Sequence, residues 1–225
     1  IIIDGKSTDS TLNIVNSYKD KISKIISEKD DGLYDALNKG INLATGDIIG
    51  FIHSDDFYID NFVIEKVANE FKKNNPDTLF ADLVYIKDEN KEKIHRYYSA
   101  KNFTPNKLKY GLMPPHPTFF VKKEVYQKYG LYKTDYKIAG DFEMITRLLL
   151  VNNLSFSYLN TPLVKMRLGG ISTSSFKQRL KTNKEVLRAL KENGIKANHL
   201  SILKKYPTKI KELLKAKFYN LIRKS

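Results

Sequence analysis

The sequence predicts an α/β fold with a predominantly parallel core, on three observations. Over residues 1–100, strand-length apolar runs alternate with amphipathic helical segments as βαβαβα, and a hairpin follows. Asp47-Ile48-Ile49-Gly50-Phe51-Ile52 is near-continuously apolar and free of proline, which suits a central strand covered on both faces. That run leads through His53-Ser54 into Asp55-Asp56, two adjacent carboxylates at the strand end where open α/β sheets place their ligands. Side-by-side acids repel, and a hard cation relieves the repulsion. Mg²⁺ or Mn²⁺ suits one or two carboxylates plus a phosphate. A solvated turn or a helix cap is the other use of such a pair.

Composition narrows the class. The chain has 225 residues, 41% hydrophobic, 12% aromatic and 28% charged, enough to bury a sizeable core. With no cysteine, disulfides and thiolate metal sites are excluded. No apolar run reaches the roughly 18 residues of a membrane span. The formal net charge of +14 favours anionic partners: nucleic acid, anionic lipid or a phosphate-bearing substrate. Between Lys196 and Ser225 the only acid is Glu212, so much of the excess is a C-terminal property. The chain opens at Ile1-Ile2-Ile3, already within a strand pattern, and is expected to be a piece whose beginning is missing.

The elements follow in order. Ile1-Ile2-Ile3-Asp4 is a strand, and Gly5 to Asp9 a turn into a helix marked by Leu12, Val15 and Tyr18, with Ser7, Thr8 and Asp9 as candidate N-caps. This arrangement suits a phosphate or nucleoside as well as an ordinary capped βα turn. Lys24 to Glu28 is a second strand. The helix Leu33–Thr45 has an apolar face (Tyr34, Leu37, Ile41, Ala44) and a polar stripe of Asp31, Asp35, Asn38 and Asn42. Asp and Asn are weak helix formers, so part of this stripe, Asn38 included, is expected to face a ligand. A helix over Asn61–Asn74 stops at Asn75-Pro76, and Thr78–Ile86 with Lys93–Tyr98 forms a hairpin around Asp88-Glu89-Asn90-Lys91.

Asn102 to Gly111 reads as irregular. Met113-Pro114-Pro115-His116-Pro117 cannot be helix interior and holds His116 on a stiff loop before the strand Thr118–Val121. His116 is placed to meet a diphosphate or a substrate hydroxyl, or to bond to nearby backbone. Lys123 to Tyr129 is a short helix closed by Gly130. Asp141 falls at or near the N-cap of the next helix, where a carboxylate is stabilised and able to accept a proton, or simply caps. Ser155–Leu159 and Leu163–Arg167 are short strands before the Gly169-Gly170 loop. A long helix with a capping box from Ser175 buries Leu180, Leu187 and Leu190 and ends at Gly194. Residues Thr208–Ser225 form a basic amphipathic helix that suits an anionic membrane surface or packing on the domain.

Several of these segments together form one pattern. Asp4-Gly5 with Ser7-Thr8-Asp9 and Thr11, Glu28 with Asp30 and Gly32, Asp35-Ala36 with Asn38 and Gly40, Ala44-Thr45-Gly46-Asp47 and Ser54-Asp55-Asp56 resemble the family 2 glycosyltransferases. Pro115-His116-Pro117-Thr118, Gly140-Asp141-Phe142-Glu143 and Gly169-Gly170 with Ser172 are similar to members acting in bacterial polysaccharide assembly. The resemblance covers residues 1–175.

It implies a GT-A fold: a mixed sheet flanked by helices, lacking the family's first strand and helix, with C-terminal amphipathic helices. It implies a nucleotide-sugar half (about 1–100), an acceptor half (about 101–175) and a basic helical extension (176–225). The activity implied is inverting transfer from a nucleotide-sugar, UDP-linked, to a glycan or lipid-linked acceptor in surface polysaccharide synthesis. The protein would be cytoplasmic and peripheral on the inner face of the plasma membrane. Residue by residue, Asp4 would lie by the nucleoside and Asp30 near the base. Asp55 and Asp56 match the DXD-type element that holds Mg²⁺ or Mn²⁺ on the donor diphosphate, Asp56 being the direct ligand. Asp141 matches the general base, and His116 and Arg167 would close over the diphosphate or position the acceptor. Many relatives carry two aspartates where this chain has Asp4-Gly5, and the missing first unit would leave the nucleobase pocket incomplete and this chain inactive by itself. The competing readings are a basic nucleic-acid-binding module, for which no interleaved stacking platform is present, and a sugar nucleotidyltransferase, for which no glycine-rich triphosphate loop is present.

Overall fold

The computed structural model describes residues 1–87, 93–168 and 176–204. The hairpin tip at 88–92, the Gly169-Gly170 loop, Ser175 of the capping box and the Thr208–Ser225 helix lie outside the described residues.

Two sheets carry the fold. β1 (Ile2–Asp4) and β2 (Ile25–Ser27) pair in parallel, connected by α1 (Thr11–Ser17). The second sheet has six strands. Its middle is β5 (Thr78–Ile86), nine residues long and buried at eight of them. β7 (Phe120–Lys122) and β6 (Arg96–Tyr98) run antiparallel to β5, while β8 (Phe156–Arg167) runs parallel along its whole length. β3 (Ile48–Ile49) lies outside β7, and β4 (Asp56–Tyr58) lies outside β8, both antiparallel.

The sheet is therefore mixed, and the expectation of a predominantly parallel core is corrected for it. The expected central strand is corrected too. Only Ile48 and Ile49 of the 47–52 run pair, at the outer end of the strand path. Gly50 explains where pairing stops. A Cβ there would stand 2.3 Å from the Phe120 ring, so the backbone runs directly against that buried side chain and turns away. Ile52 beyond it is exposed. The expected strands 155–159 and 163–167 are one strand, β8, with a register irregularity opposite Ala81 and Asp82 that accommodates Pro162.

Both faces of this sheet are covered. On one side α3 (Val63–Asn74) packs Val63, Val67 and Phe71 against Leu79, Ala81 and Leu83 of β5 and against Leu163 and Val164 of β8. On the other, Phe80 of β5 joins a larger core. To it α2 (Leu33–Leu43) contributes Tyr34, Leu37 and Ile41, α4 (Lys123–Tyr129) Val125 and Tyr126, and α5 (Gly140–Ile145) Phe142, Met144 and Ile145. The two-residue period of β5 and the 3.6-residue period of the helices each present one apolar face to the same interior. α5 continues as a π-helical stretch, Thr146–Val151. The expected irregular segment at 102–111 contains a 3₁₀ helix, Pro105–Tyr110, that buries Leu108, and His116–Thr118 is another short one.

α6 (Phe176–Glu192) and α7 (His199–Leu203) follow. The buried face of α6 is Val186, Ala189 and Leu190, whereas Leu180 is exposed. These residues, with Ile202 of α7, belong to the same core as α2 and α5. Gly194 closes α6 with a positive φ of 73°, as the sequence predicts. Among the described residues no helix is long and apolar enough to cross a membrane.

Candidate active site

The carboxylates singled out in the sequence fall into three groups. Asp4 ends β1, buried, and its carboxylate accepts from the Ser27 hydroxyl (2.6 Å), the Ser7 N–H (3.0 Å) and the Ser7 hydroxyl. Those bonds from Ser27 and Ser7 hold Asp4 below the usual carboxylate range. Asp30, just past β2, pairs with Lys39 of α2 at 2.7 Å, and Lys39 also meets Glu28 at 2.9 Å and Asp35 at 3.2 Å. A Cβ on Gly5 would stand 3.2 Å from Asp30 Oδ2. Glycine after Asp4 thus lets Asp30 close over the end of β1, so the two acids share one rim of the small sheet.

The second group is Asp55 and Asp56. His53 to Asp55 form a turn whose His53 carbonyl accepts the Asp56 N–H at 3.1 Å, and Asp56 opens β4 rather than ending β3. Asp56 pairs in register with Met166 of β8, and the next residue there, Arg167, sets its guanidinium 5.1 Å from the Phe57 ring. The β4–β8 pairing thereby brings Arg167 from far along the chain to the strand beside Asp56. Asp56 is only 7% exposed, and neither of its carboxylate oxygens has a hydrogen-bond partner. Burial, with the neighbouring Asp55 charge adding to it, pushes its carboxyl up to about 7. An unpartnered buried carboxylate is costly unless something pairs with it. Among the described residues no cluster of three or more His, Cys, Asp or Glu side chains forms a complete cage for a metal. What is present, one buried carboxylate with a second beside it, fits a divalent cation whose other ligands arrive with a phosphate.

The third group is centred on Asp141, the second residue of α5. Its Oδ1 accepts the Phe142 N–H at 2.7 Å and lies 3.5 Å from the Tyr34 hydroxyl, which donates to the Ile138 carbonyl at 2.7 Å. Burial pushes Asp141 up to about 6, against the lowering effect of the Phe142 N–H and of His53. Gly140 makes this contact geometry possible. A Cβ there would stand 2.7 Å from the Tyr34 ring, itself 3% exposed. Gly140→Ala is expected to destabilise the fold by about 1–2 kcal/mol. Overpacking at roughly 1–3 kcal/mol outweighs the better helix propensity of alanine, about 1 kcal/mol. Chemical denaturation checks this as a lower midpoint with an unchanged m-value.

Neutral aromatic groups bridge the second and third groups. The His116 ring is 5.7 Å from that of His53 and stacks on Phe51 at 6.3 Å, and its Nε2 is 2.9 Å from the Tyr132 hydroxyl. Burial lowers both histidines to about 4, so both are uncharged at neutral pH. His53 feels the charges of both Asp55 and Asp141, so it lies within electrostatic reach of each. Of the two uses open to His116 in the sequence, bonding to nearby backbone is not the one observed: its partner is a tyrosine hydroxyl from another segment.

Asn38, expected to face a ligand, gives its amide to the main chain. Its Nδ2 donates to the Tyr132 carbonyl (2.8 Å) and its Oδ1 accepts the Tyr132 N–H (2.9 Å), so it latches α2 to the 130s loop. Sequence reasoning missed Tyr34, His53 and Tyr132. His53 stands directly before Ser54-Asp55-Asp56 and was findable by position. Tyr34 read only as a core residue, and nothing local marks Tyr132.

Comparison with known proteins gives the family and the fold. A family model described as glycosyl transferase family 2 matches residues 1–130. A PGL/p-HBAD biosynthesis glycosyltransferase of Mycobacterium bovis is 26% identical over 178 residues, covering 77% of this chain and 67% of that protein. The Escherichia coli UDP-Glc:alpha-D-GlcNAc-diphosphoundecaprenol beta-1,3-glucosyltransferase WfaP is 26% identical over 213 residues, covering 88% of this chain and 76% of that protein. Among solved structures, S. aureus TarS 1-349 in complex with UDP superposes with a TM-score of 0.60 at 19% identity, over 87% of this chain and 55% of that one. The mannosyltransferase PcManGT from Pyrobaculum calidifontis, in complex with GDP-Man and Mn²⁺, gives a TM-score of 0.54 at 15% identity, over 96% of this chain and 58% of that one. The fold is that of the GT-A glycosyltransferases. The chain spans a little over half the length of these two solved relatives.

Proposed function

Because this chain belongs to glycosyl transferase family 2, we propose that it transfers a sugar from a UDP-sugar to a hydroxyl of a lipid-linked glycan, with inversion at the anomeric carbon. The observation that carries the reading is the contrast between Asp56 and Asp141. Asp56 is a buried carboxylate with both oxygens unpartnered, while Asp141 accepts the Phe142 N–H, lies 3.5 Å from the Tyr34 hydroxyl and is poised near pH 6. One suits a cation site and the other a proton acceptor.

In this reading Asp4 and Asp30 take the nucleoside and base at the rim of β1 and β2. Asp56, with Asp55, anchors a divalent cation on the donor diphosphate, and Arg167 adds positive charge beside it. The bound ion supplies Lewis-acid stabilisation of the charge that develops on the departing UDP. Asp141 takes the proton of the attacking acceptor hydroxyl. His53, His116 and Tyr132 line the space between these groups as neutral donors and acceptors, so they orient hydroxyls without competing for the proton. The lipid-linked acceptor is supported by the likeness to WfaP, and the donor by that protein's name and by TarS. We also propose the division into a nucleotide-sugar half to about residue 100 and an acceptor half beyond it, and a peripheral membrane association through the basic C-terminal region.

The test is a transfer assay with UDP-glucose, GlcNAc-diphosphoundecaprenol and Mn²⁺ or Mg²⁺, with product stereochemistry read by NMR. A β-linked product from the α-linked donor is expected. UDP release without any glycosylated acceptor across a panel of UDP-sugars and acceptors would overturn the transfer reading.

A further inference from the structure

Between α4 and the start of α5 runs the loop 130–139, and one face of α6 grips it at three successive points. Glu185 accepts the backbone N–H groups of Lys137 (3.2 Å), Ile138 (2.8 Å) and Ala139 (2.9 Å). Arg188 pairs with Asp135 and lies 4.3 Å from the Tyr136 ring. Glu192 accepts from Lys133 (2.9 Å), the Tyr136 hydroxyl (2.9 Å) and Arg188 (2.6 Å). Just past α6, Asn193 donates to Glu143 of α5 at 3.3 Å. The spacing 185, 188, 192 follows one face of a helix. Beneath these contacts Val186, Ala189 and Leu190 are buried in the shared core.

The grip has a direct route to Asp141. The peptide unit joining Ile138 to Ala139 is held from both sides, its Ala139 N–H by Glu185 and its Ile138 carbonyl by the Tyr34 hydroxyl. The same Tyr34 hydroxyl is the group 3.5 Å from Asp141 Oδ1. Glu185 thus fixes the segment that delivers Asp141 to α2, while Gly140 lets Tyr34 approach it.

We infer that Glu185 is a positioning residue for Asp141, and that α6, which reads in the sequence as the start of an appended basic extension, is a working part of the acceptor half. A carboxylate that accepts three main-chain N–H groups forms charge-assisted bonds roughly twice as strong as neutral ones. Loss of that anchor frees the Ile138 peptide to rotate and moves Asp141 relative to an acceptor hydroxyl. Displacement of about 1 Å at a reacting group can lower a rate by about 100-fold. The inference rests on the reading of Asp141 as proton acceptor.

The test uses the full chain with Glu185→Ala and Glu185→Gln in the transfer assay with UDP-glucose and GlcNAc-diphosphoundecaprenol. Glu185→Ala is expected to lower kcat about 10- to 100-fold, with the KM for UDP-glucose within about twofold. The acid limb of its pH profile should move down as Asp141 gains access to water. Glu185→Gln, whose carbonyl still accepts main-chain N–H groups, should recover a substantial part of kcat. Backbone amide exchange supplies a readout free of catalysis. The Lys137, Ile138 and Ala139 amides should exchange at least about tenfold faster in Glu185→Ala, with those of β5 unchanged. Wild-type kcat and pH profile in Glu185→Ala would overturn the inference, as would unchanged exchange at those three amides. Altered exchange together with an Asp141→Asn protein that keeps full activity would overturn the base assignment while leaving the grip on the loop intact.

Discussion

Replacing Asp141 with asparagine is expected to lower kcat by about 10³-fold and to leave UDP affinity within about twofold. Asparagine keeps the shape of the side chain and an oxygen for the Phe142 N–H, now at 2.7 Å, so the fold of α5 survives. What disappears is the ability to take a proton from an acceptor hydroxyl. Calorimetric titration with UDP and Mn²⁺ separates the two effects, because the residues proposed to take the donor, Asp4, Asp30 and Asp56, stand on other elements. Retention of more than about a tenth of wild-type kcat would remove Asp141 from the base role.

The same residue sets the pH dependence. The groups facing it are the Tyr34 hydroxyl from α2, the Phe142 N–H of its own helix and His53 from the turn before β4. Tyr34 is held protonated well above its ordinary range by burial, and His53 is neutral above about 4. Neither titrates across the range in which Asp141, near 6, gives up its proton. A base works only when deprotonated, so kcat should rise with pH through about 6 and level off above it.

Asp56→Asn is expected to abolish the metal-dependent part of UDP binding and to remove the stabilisation by divalent cation. Asp56 is raised to about 7 in the folded protein against 3.8 for an ordinary aspartate, so the metal-free folded state holds this proton more tightly than the unfolded chain. The contribution is favourable at low pH and is lost as pH rises through 7. Metal-free wild-type protein should therefore lose stability between about pH 4 and 7, and Asp56→Asn should lose less. A cation that binds the folded carboxylate stabilises by mass action. Thermal unfolding at pH 8 should show a higher Tm for wild-type protein with Mn²⁺ and UDP, and no such rise in Asp56→Asn. An equal rise in both would move the cation away from Asp56. This measurement involves no turnover, so it stands apart from the choice of sugar or acceptor.

Much of the architecture was legible from residue patterns. The face Tyr34, Leu37 and Ile41 is the buried face of α2, and β5 occupies the span its apolar run predicts. Gly130 and Gly194 close their helices, as their positions suggest. Local periodicity reports such elements because each buries one face against whatever lies opposite. Strand order was not legible. The run at 47–52 has the composition of a central strand, yet the Phe120 ring against Gly50 ends its pairing after two residues. Pairing partners are decided by packing between distant segments, which composition does not encode.

The site divides along the same line. The sequence by itself determined the family pattern and the acidic residues at Asp4, Asp30, Asp55, Asp56 and Asp141, because these stand at the ends of elements in a fixed order. Only the tertiary structure decided what each is joined to. It joined Asn38 to the main chain of Tyr132, set His53 within electrostatic reach of Asp55 and Asp141, and drew Arg167 to the strand beside Asp56. It also brought α6 onto the loop before Asp141. The physical reason is that hydrogen bonds and burial depend on neighbours brought together from across the chain. Glu185 and Ala139 are 46 positions apart and Tyr34 and Ile138 are 104 apart, yet the single peptide unit between Ile138 and Ala139 bonds to both.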